Sequence, residues 1–200
     1  MKTLIFLLLA VITSGYNIPK NNGCLQVDIM LVGDFSGSVM GHQQFVTDAF
    51  ISFANSFELS EEGIKMGIVK FGDRAQLISD LNSDQEDFKK KAMTLNYYFP
   101  VGNTMLQSAL ELSVEKLLGS KGRKGYGKMI VIVSDGAVDD PMESLKIIGQ
   151  LKQLGIKICT VLIKTEMTRP EYMQYISSDC YVESDYENLA IEIKKLDICS

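Results

Sequence analysis

The sequence predicts an α/β fold: a doubly wound, mostly parallel sheet with one antiparallel edge strand and helices on both faces. Three observations support this prediction. Apolar segments of strand length alternate with amphipathic segments of helix length almost throughout the chain. One pair of strands is joined by only a few residues around "GDR", which is the length of a hairpin. The other strands are separated by helix-length segments, which favours parallel pairing.

The first half of the chain supplies three predicted strands and two helices. Leu25–Val32 is almost continuously apolar, as expected of a strand that is buried on both faces. Val39–Phe57 places apolar residues at helical spacing. Ile64–Gly72 and Ala75–Leu81 form the hairpin, and Ser83–Met93 is a polar helix that follows it.

The second half repeats the alternation of helix and strand. A helix from about Thr104 to Leu118 turns leucines and a valine to one face. Lys128–Gly136 contains a buried strand, and Pro141–Leu154 is a helix with proline suited to its first turn. The remaining predicted elements are a strand, a short helix, a short strand and a closing amphipathic helix: Ile156–Ile163, Arg169–Ser178, Cys180–Ser184 and Tyr186–Ile198.

Length and charge limit the possible functions. The chain has 200 residues, of which 46% are hydrophobic, and this suits one domain with a sizeable core. The net charge of −5 argues against a nucleic-acid partner. The one basic cluster, "KGRKGYGK", contains three glycines and is typical of a solvated loop. We therefore expect no nucleic-acid binding.

Residues 1–15, "MKTLIFLLLAVITSG", have the pattern of a secretory signal peptide. One lysine precedes an apolar core, and small residues follow it. The apolar run is shorter than the roughly 20 residues that a membrane-spanning helix needs. We expect cleavage after Gly15, a secreted, extracellular product without a membrane anchor, and one domain over residues 24–199. In that compartment the four cysteines predict disulfides, with three possible pairings.

Oxygen-bearing side chains follow two strands that the pattern makes central. The first strand runs into Asp34, Ser36 and Ser38, and "IVIVSDG" ends in Asp135. Thr104 stands at the start of the helix between them. Carboxyl ends of parallel strands share one edge of the sheet, so these five side chains can meet there. Carboxylates and hydroxyls suit Mg²⁺ (or Mn²⁺), whereas the histidine and cysteine that zinc favours are absent from the set.

These segments resemble the von Willebrand factor type A domain, a Rossmann-like family that includes the integrin inserted domains. The family's metal-ion-dependent adhesion site reads Asp-x-Ser-x-Ser, then Thr, then Asp, which matches the five residues above in order. The resemblance covers Leu25 to Cys199. It implies that both serines bind the metal directly, that Thr104 does so when a ligand is bound, and that the aspartates act mainly through water. It also implies that a partner's acidic residue completes the coordination.

The expected function is a secreted, non-enzymatic, adhesion-type module that captures an acidic residue of an extracellular protein through a divalent cation. A metal-assisted hydrolase on a similar sheet is the alternative, and a structural module with an idle metal site is a third possibility. The single histidine, His42, lies four residues past Ser38 on the first helix, and "GDFSGS" is not a nucleophile elbow. The sequence therefore offers no convincing general base for a hydrolase.

Several residues have two interpretations at this level. Phe35 either lines the partner surface or packs under a loop. Tyr97 to Phe99 either form an aromatic contact patch near the metal or are buried under the loop. Asp139 and Asp140 fit a solvated loop better than an acidic rim.

Cys24 and Cys199 should be neighbours, because the first strand starts and the last helix ends opposite the metal edge, and several type A domains carry comparable bridges. Cys159 and Cys180 could also come close, or remain a free buried pair.

Overall fold

A computed structural model describes residues 26–166, 168–177 and 180–196. Among these residues, six strands form one sheet in the spatial order β3-β2-β1-β4-β5-β6. Only β3 is antiparallel to its neighbour, and it forms one edge of the sheet. The predicted fold class is therefore confirmed. The strands are Val27–Asp34 (β1), Ile64–Phe71 (β2), Gln76–Asn82 (β3), Gly127–Ser134 (β4), Lys157–Ile163 (β5) and Cys180–Ser184 (β6).

Six α-helices connect or follow these strands within the described residues. None of them is long and apolar enough to cross a membrane. Short 3-10 turns stand at Gly37–Val39, Thr94–Tyr97 and Ile193–Lys195. The α-helices are Gln43–Ala54 (α1), Gln85–Met93 (α2), Leu106–Leu118 (α3), Pro141–Gln153 (α4), Pro170–Ile176 (α5) and Leu189–Glu192 (α6).

Two predicted helices begin three or four residues later than expected, whereas the other helix starts agree to within two residues. The first starts at Gln43 because a 3-10 turn and Gly41, at φ +85°, interrupt the backbone after Ser38. The last starts at Leu189 because the Asp185 carboxylate accepts a hydrogen bond from the backbone N–H of Asn188 and holds the preceding residues in a turn. Local side-chain bonds of this kind compete with helix formation, so amphipathic spacing alone overestimates helix length.

The core lies on both faces of the sheet. Ile29 and Leu31 of β1 point to the cluster that α1, α2 and α6 cover, and Met30 and Val32 point to the cluster beneath α3, α4 and α5. Side chains alternate along a strand, so a central strand covered on both faces must be apolar at consecutive positions. This arrangement explains the unbroken apolar run that precedes Asp34.

One disulfide, Cys159–Cys180, joins β5 to β6. The two residues are directly opposite in the parallel register, and their Cα atoms are 4.7 Å apart. Of the two alternatives for this pair, the free buried thiols are therefore wrong. Cys24 and Cys199 lie outside the described residues, as does the expected signal peptide at residues 1–15, so the terminal bridge and the cleavage site stay predictions.

Candidate metal site

The carboxyl ends of β1 and β4 form the centre of the candidate site. The two strands pair in parallel, with Gly33 opposite Val133, so both end at the same edge of the sheet. From β1 the chain continues to β2 on one side, whereas β4 lies on the other. Ligands of doubly wound sheets bind where the strand order reverses in this way. We call this edge the metal rim. It comprises residues 34–38 at the end of β1, Thr104 before α3 and Asp135 after β4.

Asp34 is the last residue of β1 and is completely buried. Its carboxylate accepts a hydrogen bond from the Ser36 backbone N–H at 2.9 Å and another from the Ser134 hydroxyl at 2.6 Å. Burial raises the pKa of Asp34 to about 6; the hydrogen bonds from Ser134 and Ser36 oppose this rise, and the charge of Asp135 adds to it. The carboxylate is therefore fixed in position by neutral donors.

Asp135 follows β4 directly and is also completely buried. Its Oδ1 accepts a hydrogen bond from the Ala137 backbone N–H at 3.0 Å. Its Oδ2 is buried and has no hydrogen-bond partner among the described residues. Leaving a buried acceptor unpaired costs about 1–3 kcal/mol, and more when the group is charged. An oxygen in this position is therefore suited to a water or a cation on the rim.

Ser36 and Ser38 project from the turn that follows β1. Their hydroxyl oxygens are 3.1 Å apart; Ser36 is buried and Ser38 is exposed. Adjacent ligands of an octahedral Mg²⁺, each at about 2.1 Å from the metal, are separated by about 3 Å. The spacing of the two hydroxyls thus fits neighbouring positions around one small cation.

Thr104 reaches the same edge through backbone bonds. Its N–H donates to Asp139 Oδ2 at 2.7 Å, and its carbonyl accepts from the Asp139 N–H at 3.1 Å, which ties it to the loop after Asp135. Two residues earlier, the Gly102 carbonyl accepts from the Gly37 N–H at 3.2 Å. The structure therefore brings all five predicted residues to the metal rim. The backbone of Thr104 joins it to the loop after Asp135, and the nearby Gly102 joins the same segment to the turn after β1.

Sequence reasoning missed three residues that hold the rim together. Ser134 orients Asp34, and Asp139 holds the backbone of Thr104. Asp140 is buried, and its carboxylate accepts hydrogen bonds from the first backbone N–H groups of α3 and from the Ser144 hydroxyl. The solvated-loop interpretation is thus wrong for Asp140, although Asp139 is exposed. An aspartate directly before a proline that starts a helix is a capping signal, and this signal could have indicated a structural role for Asp140. The carboxylate of Asp140, however, caps α3 and not the helix α4 that follows it.

Phe35 packs under the rim. Its side chain is only 3% exposed, and its backbone N–H donates to the Phe71 carbonyl at 2.7 Å, which continues the pairing of β1 with β2. A Cβ at Gly33 would stand 3.1 Å from the Phe50 ring and 3.3 Å from the Phe35 ring. Phe35 therefore fills the space above a glycine, and the interpretation that it lines a partner surface is wrong.

His42 belongs to an aromatic contact beside the rim. Its ring stacks on that of Tyr186 with centroids 3.9 Å apart, and Phe45 completes the group. The Nδ1 of His42 has no hydrogen-bond partner within the described part of the chain. Burial, together with the charges of Asp135 and Asp34, raises the pKa of the Tyr186 phenol. The histidine is thus placed for packing against Tyr186 in the turn before α6.

Within the part of the chain that the structure describes, the two carboxylates of the rim form no ion pair. The ion pairs found among the described residues include neither Asp34 nor Asp135. No group of three histidine, cysteine or acidic side chains suited to a metal occurs in the described ranges, so the candidate ligand set depends on hydroxyls. Two carboxylates and three hydroxyls match the oxygen preference of a hard divalent cation.

A doubly wound sheet with carboxylates and hydroxyls at its switch point defines a class of α/β modules with a candidate oxygen-ligand site on one edge. The chain belongs to the von Willebrand factor type A domain family, whose model matches residues 28–194. It is 31% identical to the thrombospondin-related anonymous protein of Plasmodium falciparum over 141 residues, which are 66% of this chain and 25% of that protein. The chain thus spans about a quarter of the length of this curated relative.

Two solved structures show the same fold. The manganese-loaded TRAP protein of Plasmodium vivax matches with a TM-score of 0.72 at 21% identity, over 88% of this chain and 75% of that chain. The pilus adhesin SpaC of Lactobacillus rhamnosus GG matches with a TM-score of 0.69 at 16% identity, over 88% of this chain and 30% of that chain. At these identities the likeness concerns the fold alone.

Proposed function

We propose that the module binds one divalent cation, Mg²⁺ or Mn²⁺, through Asp34, Ser36, Ser38, Thr104 and Asp135. With the cation bound, it captures an acidic residue of an extracellular protein partner. The observation that carries this proposal is the pair of completely buried carboxylates at one edge of the sheet, without a cationic partner among the described residues.

The electrostatics of the rim support a cation. A buried carboxylate is costly unless it is paired or binds a metal. Asp34 has only neutral donors, and Asp135 Oδ2 has no donor at all among the described residues. A bound divalent ion would supply the missing positive charge to both groups. Any resident water would satisfy hydrogen bonds but would leave the charge uncompensated.

The hydroxyl ligands explain how the same cation can capture a second carboxylate. Hydroxyls are neutral, so Ser36, Ser38 and Thr104 bind a metal without cancelling its charge. A metal with few anionic ligands remains a Lewis acid toward an anion from outside. Ser38 is exposed, so the rim is open to solvent on that side. An aspartate or glutamate of a partner is the protein group that meets these requirements.

The relatives support an adhesive role in the extracellular space. One similar structure is manganese-loaded, and another is a pilus adhesin. Secretion through residues 1–15 would place this module where Mg²⁺ is abundant and where its disulfide between Cys159 and Cys180 is stable. We therefore assign the module to secreted adhesion rather than to catalysis.

Calorimetric titration of the mature protein with Mn²⁺ and with Mg²⁺ tests the metal site. Wild type should bind one ion, and the double variant Ser36→Ala, Ser38→Ala should show no binding heat. Ser56→Ala is the matched control, because this exposed serine lies just past the end of α1 and its hydroxyl donates to the Ser52 carbonyl, away from the rim. Unchanged binding in the double variant would remove the site from the metal rim.

Asp135→Asn tests the link between metal and partner. The change keeps the size of the side chain and the bond to Ala137, so the far-ultraviolet circular dichroism should be that of wild type. Metal-dependent attachment to immobilised extracellular material should be lost. An unfolded spectrum would show that Asp135 is structural, and attachment that survives both this change and EDTA would contradict metal-dependent capture.

A further inference from the structure

An exposed apolar surface borders the metal rim on the side of Ser38 and Thr104. Its members are Met40, Tyr97, Phe99 and Val101, whose side chains are 49%, 90%, 71% and 50% exposed. We call these four residues the apolar border. Single exposed apolar residues are common on protein surfaces, but a group of large ones close to a polar site indicates a binding surface.

The aromatic members are presented by a loop that is anchored between them. Tyr98 is half-buried, and its hydroxyl accepts a hydrogen bond from Gln76 at 3.1 Å, while its carbonyl accepts one from Gln43 at 3.4 Å. The Lys70 ammonium stands 4.4 Å from the centre of the Tyr98 ring. Because Tyr98 points inward and is held by three contacts, its two neighbours in sequence are directed to solvent.

Backbone bonds fix this loop against the metal-binding turn. The Gly37 N–H donates to the Gly102 carbonyl, and the Asn103 N–H donates to Asp73 Oδ1 at 2.7 Å. Gly102 adopts φ +77°, and a Cβ there would collide with the Asp73 carboxylate, so the loop requires glycine at this point. The segments that carry Met40 and Val101 are therefore held side by side, next to two of the proposed ligands.

We propose that the partner segment carries apolar side chains next to its acidic residue, and that the apolar border binds them while the cation binds the carboxylate. This inference rests on the proposed function. The cation on the metal rim is complementary to the carboxylate of such a segment. The apolar border has no charged member and is complementary to its apolar side chains. Rigid aromatic side chains lose little conformational freedom on binding, which makes them effective contact residues.

Selection of displayed peptides tests the chemistry of the partner. Random short peptides on phage are captured by the immobilised protein in Mn²⁺ and released with EDTA. The released clones should contain an aspartate or glutamate with apolar residues within two positions of it. Selected peptides that contain an acidic residue, but whose adjacent residues have the composition of the unselected library, would overturn this inference. Metal-dependent capture would still stand. Recovery of no clone that EDTA releases would contradict both proposals.

Variants of the border give the second test. Tyr97→Ser with Phe99→Ser should weaken binding of the selected peptides by about tenfold or more, with Mn²⁺ binding heat unchanged. Tyr175→Ser is the matched control: this tyrosine is 72% exposed on α5, and its carbonyl lies near Lys152 at the end of α4, away from the rim. Equal peptide binding by the border variant and the control would overturn the inference. So would loss of the Mn²⁺ heat, because the aromatic residues would then support the metal loop instead.

Discussion

Strand β1 carries a completely buried aspartate near each end, and the two have opposite surroundings. Asp28, near the start, accepts hydrogen bonds from the backbone N–H and the guanidinium of Arg123 at 2.7 Å and forms a second ion pair with Lys128. Asp34, at the end, has only the Ser36 N–H and the Ser134 hydroxyl as donors. The residues are six positions apart, so both side chains point to the same face of the sheet.

The difference shows that burial of an acid does not by itself indicate a functional site. At Asp28 the chain supplies two cations, and the Arg123 guanidinium also reaches the Val27 and Gly63 carbonyls, so this end of the sheet is closed by its own residues. At Asp34 the described residues supply only dipoles and a second acid, Asp135, so no side chain among them compensates its charge. The presence or absence of an internal counter-ion therefore separates a structural aspartate from a candidate ligand.

The largest effect is expected from Asp28→Asn, which leaves Arg123 and Lys128 partly buried without their anion. Removing one partner of a buried ion pair costs about 3–5 kcal/mol, so urea unfolding should show a loss of about this size. The burial that already lowers the pKa of Lys128 would then act without the opposing charge of Asp28. Glu86→Gln, which breaks an exposed pair with Lys89, should change stability by less than about 1 kcal/mol. Similar losses in both variants would contradict the structural role of Asp28.

In metal-free protein the ionised carboxylate of Asp34 should destabilise the fold, whereas that of Asp28 stabilises it. Its pKa is about 6 in the folded chain and 3.8 as the reference value, so between these pH values the folded state holds a proton that the unfolded state releases. The free energy of unfolding in EDTA should therefore fall as pH rises from about 4 to about 6, by up to about 3 kcal/mol, and then level off.

Asp34→Asn should remove this component, so that the variant exceeds wild type in stability above about pH 6. The Ser134 hydroxyl can rotate to accept from the new amide, which keeps the fold. Urea unfolding of both proteins in EDTA across this range measures the difference. Affinity for Mn²⁺ should rise over the same window, because the ionised carboxylate is the form that serves a metal. A stability difference that is independent of pH would contradict the elevated pKa.

The smallest effect on stability is expected from the removal of a helix cap, and a cap beside the metal rim can be compared with a cap elsewhere. Asp140→Ala removes the acceptor for the first N–H groups of α3, and Asp84→Ala removes the acceptor for the Glu86 and Asp87 N–H groups at the start of α2. Each change should cost about 1 kcal/mol of stability. Only Asp140→Ala should also weaken Mn²⁺ binding in calorimetry, because α3 begins two residues after Thr104. Equal Mn²⁺ affinity in the two variants would contradict the role of Asp140 in positioning the rim.

The fold could be predicted from the sequence because β1, β4 and β5 are buried on both faces and stand out as nearly unbroken apolar runs. Four of the five candidate ligands could be located because they lie at or just after the ends of β1 and β4, which parallel pairing places together, and Thr104 because it stands just before the helix α3. Asp140 could not be assigned, since its acceptor oxygens serve a helix 34 residues earlier in the chain, and only tertiary structure reveals that proximity. Phe35 was undecided for the same reason, because the space it fills is created by a glycine and by Phe50 of another element.

The hydrogen bond from Ser134 to Asp34 joins residues that are 100 positions apart, and this has a consequence for the lifetime of the folded module. A chain that has not yet paired β1 with β4 has no rim, so a cation can bind only after the sheet is complete. Ligands that bind the native state alone stabilise it in proportion to the logarithm of their concentration. A cation that binds the native state but not the transition state for folding should slow unfolding more than it speeds folding. Under the proposed function, the concentration of the divalent cation would then set how long the folded module resists unfolding and proteolysis.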